Sequence, residues 1–114
     1  PPLHVQAIDG SLHEPDLGSL PLGVRRDASY HTATLQPQPG DLMLLYSDGV
    51  VEAADDRNTL YGDERLRELV AAQVAQGASP RKVVDSLLQD VGRFSVSAGA
   101  QADDITVIAV RAKP

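Results

Sequence analysis

No cysteine and no tryptophan occur in this sequence of 114 residues, and only 4% of its residues are aromatic. The absence of cysteine excludes disulfides, thiolate zinc sites and cysteine nucleophiles, and it fits a reducing compartment, so we expect a cytoplasmic protein. Because aromatic side chains are scarce, Leu, Val, Ile and Ala must build most of the core. With 42% hydrophobic residues, the chain has the composition and length of one small globular domain.

Long apolar runs and an excess of positive charge are also missing. Apolar runs such as residues 42–46 are far shorter than the roughly 18 residues that a membrane span needs, so we expect no span in this segment. Ten basic and sixteen acidic residues give a net charge of −6, which repels phosphate backbones and excludes nucleic acid as an expected partner. Twelve of the acidic residues are Asp, which is typical of turns, helix caps and hard-cation sites.

The first third of the sequence predicts short strands separated by turns. Residues 3–8 alternate between apolar and polar and run into Asp9-Gly10, a dipeptide typical of a hairpin turn. Residues 11–27 hold scattered Pro and Gly and indicate a covering loop. Alternation returns over residues 28–35, which predicts a second strand.

Two further strands are indicated by continuous apolar runs. Residues 41–46 form such a run between turn signals, which predicts a central strand covered on both faces and ending at Ser47. Residues 105–110 are rich in β-branched side chains and predict the last strand of the chain.

Two amphipathic helices are predicted between these strands. Residues 63–74 carry apolar side chains at the spacing of one helical face, and the first helix should end near Gly77. The second begins with Ser79 as a natural N-cap and Pro80 as its first residue, and it should end near residue 92.

Asp residues flank the two apolar strands at positions that could meet. Asp48 follows the strand over 41–46, whereas Asp103 and Asp104 precede the last strand. If these strands pair antiparallel, Asp48 and Asp103 come to the same edge of the sheet. Clustered carboxylates repel one another unless a cation compensates them, and oxygen ligands suit Mg²⁺ or Mn²⁺. Spacing alone leaves two interpretations open and favours ordinary turn residues for both Asp groups over a metal site.

Other candidate sites in the sequence are weaker. Residues 55–58 resemble the start of a calcium loop, but Tyr61 stands where that loop needs Gly, so we interpret them as a solvated loop. Ser47 lacks the elbow motif of a nucleophilic serine. The histidines have no paired spacing and are expected at the surface or in structural roles. They are His4, His13 and His31.

Four segments, taken in order, carry a family resemblance. They are PLGV at residues 21–24, PGDLMLLYSDGVVEA at 39–53, LYGDERL at 60–66 and ADDITVIAV at 102–110. Their order and spacing, with two predicted helices between the third and the fourth, resemble bacterial metal-dependent (PPM, type 2C-like) protein phosphatases. The resemblance is to the SpoIIE/RsbU type and covers nearly the whole chain.

The resemblance implies a fold and an activity. The fold is an α/β (α+β) sandwich of antiparallel β-sheets flanked by helices, with residues 1–114 as the C-terminal part of a single phosphatase domain. The implied reaction is hydrolysis of phosphoserine or phosphothreonine by a metal-activated water, with a binuclear Mn²⁺ or Mg²⁺ centre in the full domain. The usual substrates of this group are phosphorylated anti-sigma-factor antagonists, which act in bacterial stress, sporulation or sigma-factor regulation.

The resemblance also assigns roles to individual residues. Asp48 matches a metal ligand, and Asp103 matches a second ligand of the same ion. Asp104 falls where the family often has Asn or Asp, so we expect it to support the ligands from outside the coordination shell. Gly49 is expected to allow a tight exit from the strand.

One expected part of the family pattern is missing. The N-terminal half of such domains carries an Asp-Gly-x-Gly-His-Gly-like segment whose Asp bridges both ions, and it does not occur in these 114 residues. The sequence starts at Pro1 without an initiator Met, as if in mid-segment. We therefore expect a fragment that is inactive alone and whose natural partner is the N-terminal half of the domain.

Two other function classes fit parts of the sequence. A non-catalytic interaction module would expose strand edges and apolar faces, and such a piece should dimerise or pair with another chain. A phosphorelay receiver would accept phosphate on Asp48, but a receiver places its acidic pair early, whereas Asp103 and Asp104 come late. The phosphatase interpretation accounts for more of the chain.

Overall fold

The computed structural model describes residues 2–7, 9–14, 25–27, 29, 34–95 and 104–113. These residues form four strands and three helices. The strands are β1 (Pro2–Val5), β2 (Leu12–His13), β3 (Leu42–Tyr46) and β4 (Val107–Arg111). The helices are α1 (Asp48–Val51), α2 (Asp63–Ala75) and α3 (Pro80–Ser95).

The strands form one antiparallel sheet in the order β2-β1-β3-β4. In this sheet β3 pairs with β1 on one side, where Leu44 lies opposite Leu3. On its other side β3 pairs with β4, and Leu44 lies opposite Ala109. An antiparallel sheet with helices confirms the predicted α+β class.

The turn predicted at Asp9-Gly10 joins β1 to β2. Gly10 has φ of 75°, in the region that Gly accepts without steric cost, and its N–H donates to the Gln6 carbonyl at 2.8 Å. The N–H of Gln6 in turn donates to the carbonyl of Ser11 at 2.8 Å. The hairpin prediction is therefore confirmed, although β1 ends at Val5, before the end of the predicted strand.

Two other predictions for this region fare differently. Residues 11–27 were expected to be a loop, but Leu12–His13 forms β2 against β1, so the prediction is wrong at those two residues. Residues 15–24 of the same segment lie outside the described residues, as does most of the strand predicted over 28–35.

Both long helices begin where the sequence predicts. Asp63 is the first residue of α2, where the positive end of the helix dipole favours an acid, and the chain turns at Gly77 with φ of 70°. The Ser79 hydroxyl accepts a hydrogen bond from the Lys82 N–H at 3.1 Å, which caps α3 at its start. Within the described residues, no helix has both the length and the apolar character needed to cross a membrane.

One face of the sheet packs against α2 and α3 and forms the core. Because side chains alternate along a strand, every second residue of β1 and β3 points to this face. The fully buried side chains of the core come from both the sheet and the helices. They are Leu3, Val5, Leu42, Leu44, Val50, Leu66, Val70, Val83 and Leu87.

The opposite face of the sheet carries an apolar patch. Leu45, Ile108 and Val110 are 43%, 52% and 53% exposed, and we call these three residues the open face. The prediction that β3 is covered on both faces is therefore wrong for the described structure. The helices cover the side of Leu44, which leaves the side of Leu45 exposed.

A buried hydrogen bond joins β1 to the turn before β3. His4 Nε2 lies 2.9 Å from Asp41 Oδ2, and both side chains are buried. The Asp41 carboxylate also accepts hydrogen bonds from the N–H groups of Ala7 and Gln38, each at 2.9 Å. The bond from Ala7, with smaller contributions from His4 and Gln38, holds the pKa of Asp41 below its ordinary value despite burial.

Asp41→Ala is expected to destabilise the chain by about 3 kcal/mol near neutral pH, because it leaves the buried His4 and two partly buried N–H groups without their acceptor. The pKa of Asp41 is lower in the folded state than in the unfolded state. Its stabilisation is therefore present above the unfolded-state pKa and is lost as pH falls through the lower folded-state pKa. Urea unfolding of both proteins from neutral to acid pH checks this, and a constant difference over that range would count against it.

Candidate functional site

The end of β3 and the start of β4 lie at one edge of the sheet. Tyr46 pairs with Val107, and the N–H of Ser47 donates to the carbonyl of Thr106 at 2.9 Å, which extends the pairing past β3. This is the antiparallel arrangement that the sequence argument required. We call residues 47–49 together with residues 104–106 the acidic corner.

Gly49 makes the tightest contact of the acidic corner. A Cβ atom added at Gly49 would lie 2.1 Å from the carbonyl oxygen of Asp104 and 2.9 Å from its carbonyl carbon. These atoms belong to the backbone and cannot move aside as a flexible side chain could. The start of α1 therefore packs directly against the backbone of Asp104, and only Gly fits at this position.

The acidic side chains of the corner are open to solvent. Asp48 is the first residue of α1 and is exposed, and Asp104 is also exposed. Asp103 lies outside the described residues, so the structure does not place its carboxylate. The structure thus brings the segments of Asp48 and Asp104 together, and the ligand roles of Asp48 and Asp103 stay predictions.

The Ser47 hydroxyl bridges the two sides of the acidic corner. Its Oγ donates to the carbonyl oxygen of Asp104 at 3.2 Å and accepts from the N–H of Thr106 at 2.9 Å. No local pattern in the sequence predicts this bridge or a role for Thr106. The position of Ser47 directly after β3 is compatible with this bridging role. That position predicts the bridge only when the register of β3 and β4 is known.

The donor chemistry of the acidic corner suits a hard divalent cation. Carboxylates are the ligands that Mg²⁺ and Mn²⁺ prefer, and the chain has no thiolate to offer. Within the described ranges, however, no group of three or more His, Cys, Asp or Glu residues could hold a metal ion. The described residues therefore do not form a metal site by themselves, and other ligands would have to complete one.

Tyr46 lies next to the corner but cannot serve as a base near neutral pH. Its hydroxyl donates to Asp63 Oδ1 at 3.4 Å. Burial, with further contributions from the negative charges of Glu14 and Asp63, raises the pKa of Tyr46 to about 12. The phenol therefore stays protonated, and its role here is structural.

The weaker candidates from the sequence occupy structural positions. Asp55 Oδ1 accepts hydrogen bonds from the N–H groups of Arg57 and Thr59, each at 2.9 Å, which is a turn stabilised by its own side chain. His4 is the buried partner of Asp41, as expected for a structural histidine. His13 is exposed and its ring centroid lies 6.0 Å from that of His4, whereas His31 lies outside the described residues.

Comparison with known protein families and sequences gives two matches. The family model for Stage II sporulation protein E (SpoIIE) matches residues 1–113. Protein IcfG from Synechocystis sp. is 26% identical over 110 residues, which cover 96% of this chain and 17% of IcfG. The chain therefore spans about a sixth of the length of that relative.

Comparison with solved structures gives a match in fold. The phosphatase domain of the cell fate determinant SpoIIE from Bacillus subtilis, presoaked with Mn, aligns with a TM-score of 0.62 and 20% identity. The alignment covers 99% of this chain and 46% of that chain. The described fold is thus that of a little under half of the solved domain.

Proposed function

Because the chain belongs to the SpoIIE family and is part of a PPM-type phosphatase domain, we propose that the complete domain hydrolyses phosphoserine or phosphothreonine in a protein substrate. The observation that carries this proposal is the acidic corner. There Gly49 packs against the backbone of Asp104, so residues 47–49 lie directly beside residues 104–106. The family resemblance assigns two metal ligands here. They are Asp48, in the first segment, and Asp103, directly before the second.

We propose that Asp48 and Asp103 hold one Mn²⁺ or Mg²⁺ ion of a binuclear centre, with Asp104 supporting them. Two observations support this assignment. Asp48 is an exposed carboxylate at the edge where β3 ends and β4 begins, and the similar SpoIIE domain was presoaked with Mn. When bound, such ions activate a water molecule and offset the charge of a phosphoryl group. The part of Gly49 is to let α1 approach the segment that precedes β4.

The proposed substrate is a phosphorylated protein of the anti-sigma-factor antagonist type. This choice rests on the resemblance to the SpoIIE/RsbU type. The net charge of −6 adds a physical condition, because an acidic chain repels a phosphorylated protein unless cations compensate. Substrate binding, and not only the chemical step, should therefore depend on the divalent cation.

The open face supports the proposal that this sheet packs against the rest of the domain. Leu45, Ile108 and Val110 form an apolar surface on the side of the sheet that the helices do not cover. The chain spans 46% of the similar solved domain. We propose that the remaining half covers the open face and supplies the other metal ligands, and that the isolated chain pairs with itself or aggregates through this face.

Hydrolysis assays that compare the chain with the complete domain test the proposed function. We expect the complete domain to release phosphate from a phosphoserine protein in Mn²⁺ and to lose this activity in EDTA. The isolated chain should show no release under the same conditions, because it lacks part of the metal site. Equal loading of both proteins, checked by absorbance and by circular dichroism, controls for misfolding.

The outcomes of these assays separate the proposed function from its rival. A complete domain that binds Mn²⁺ but releases no phosphate from any phosphoprotein would contradict the enzyme and favour a non-catalytic interaction module. Mn²⁺-dependent hydrolysis by the isolated chain would instead show that its own residues suffice, against the proposal of an incomplete metal site.

A further inference from the structure

Ser47 occupies a helix-capping position without acting as a cap. It directly precedes α1, where Ser often accepts a hydrogen bond from an N–H of the first helical turn. Its side chain makes no such bond. The hydroxyl instead contacts the backbone on the other side of the acidic corner, at Asp104 and Thr106.

We propose that Ser47 is a positioning residue that fixes the two metal-binding segments relative to each other. This inference rests on the proposed function. Ser47 comes one residue before Asp48, and the carbonyl to which it donates belongs to Asp104, one residue after Asp103. A single hydroxyl therefore connects the two predicted ligands through one backbone residue on each side.

Two further contacts at the corner act alongside this hydroxyl. The packing of Gly49 against Asp104 limits how closely the two segments approach. The bond from the Ser47 N–H to the Thr106 carbonyl holds the backbone of Thr106 and does not reach Asp104. The Ser47 hydroxyl contacts both the Asp104 carbonyl and the Thr106 N–H.

Loss of the hydroxyl should affect geometry more than stability. Both of its hydrogen bonds lie in an exposed part of the structure, so water can replace them in a variant without leaving buried groups unpaired. Water does not hold the segments at a fixed separation, however. A positioning role therefore predicts a folded variant with weakened metal binding, whereas a purely structural role predicts a loss of stability.

The test compares Ser47→Ala, Ser47→Thr and Ser47→Val in the complete domain, with Mn²⁺ affinity measured by isothermal titration calorimetry. Thr keeps the hydroxyl, and Val has the shape of Thr without it. Ser47 has φ of −84° and ψ of 160°, an extended conformation that both β-branched residues accept. We expect Ser47→Thr to bind within about twofold of the unchanged protein, and the Ala and Val variants to bind about 10-fold more weakly.

Hydrogen exchange supplies a second measurement on the same variants. The Thr106 amide should exchange faster in the Ala and Val variants than in the Thr variant, while thermal unfolding stays similar in all. Wild-type affinity in the Ala and Val variants would overturn the positioning role alone. A complete domain that binds no Mn²⁺ at all would overturn the proposed function and this inference with it.

Discussion

Asp48→Ala in the complete domain is expected to lower kcat/KM for a phosphoserine substrate by at least about 100-fold. The physical reason is the loss of a carboxylate proposed to hold a metal ion, and such an ion supplies several kcal/mol of charge stabilisation in a transition state. The fold should survive, because Asp48 is exposed and contributes no side chain to the core. Steady-state kinetics at saturating Mn²⁺, with circular dichroism of both proteins, measure the two effects separately.

Asp56→Ala provides the matched control for this prediction. Asp56 is also an exposed Asp, and it lies in the loop that follows α1 rather than in the acidic corner. Asp56→Ala removes the same charge from the same part of the chain. If long-range electrostatics has little effect on catalysis, the kcat/KM of this variant should stay within about twofold of wild type. Equal losses in the two variants would show that the effect of Asp48 is general electrostatics, and retained activity in Asp48→Ala would remove it from the metal site.

Gly49→Ala is expected to destabilise the domain by about 2 to 3 kcal/mol and to reduce activity at the same time. The added Cβ would lie 2.1 Å from the carbonyl oxygen of Asp104, so α1 or the segment before β4 must shift. A shift of either segment changes the position of Asp48 relative to Asp103. Urea unfolding gives the change in stability, and Mn²⁺ titration gives the change in affinity.

Gly92→Ala separates this clash from the general effect of replacing Gly in a helix. Gly92 lies in α3, and a Cβ added there meets nothing within 4 Å. This variant should be more stable than wild type by about 0.5 to 1 kcal/mol, because Ala favours the helix over Gly. If Gly49→Ala were as stable as Gly92→Ala, the close packing of the acidic corner would be wrong.

Much of the fold was predictable because its long elements carry strong periodic patterns. Helix α2 begins at Asp63 as expected, and β3 and β4 were recognised from continuous apolar runs. The two-residue strand β2 and the four-residue helix α1 were not predicted, because neither is long enough to show a period. The exposure of Leu45 was also missed, since an apolar run does not tell whether one face or both are covered.

The approach of the Asp48 and Asp104 segments was predictable from the sequence, but the contacts that shape the acidic corner were not. The Asp-Gly pair after a buried strand drew attention to Asp48, and antiparallel pairing brought the segment of Asp104 beside it. The bridge from Ser47 to Thr106 depends on the register of β3 and β4, which no local pattern encodes. The close contact of Gly49 likewise depends on where α1 turns after the strand.

The central claim is that Asp48 of the acidic corner and Asp103, the residue directly before Asp104, hold one metal ion. An anomalous difference map of crystals of the complete domain, soaked in Mn²⁺, tests it most directly. We expect a manganese peak bonded to carboxylate oxygens of both residues, beside the carbonyl of Asp104 that Ser47 holds. Manganese bound elsewhere in the domain, with neither Asp48 nor Asp103 among its ligands, would contradict the account.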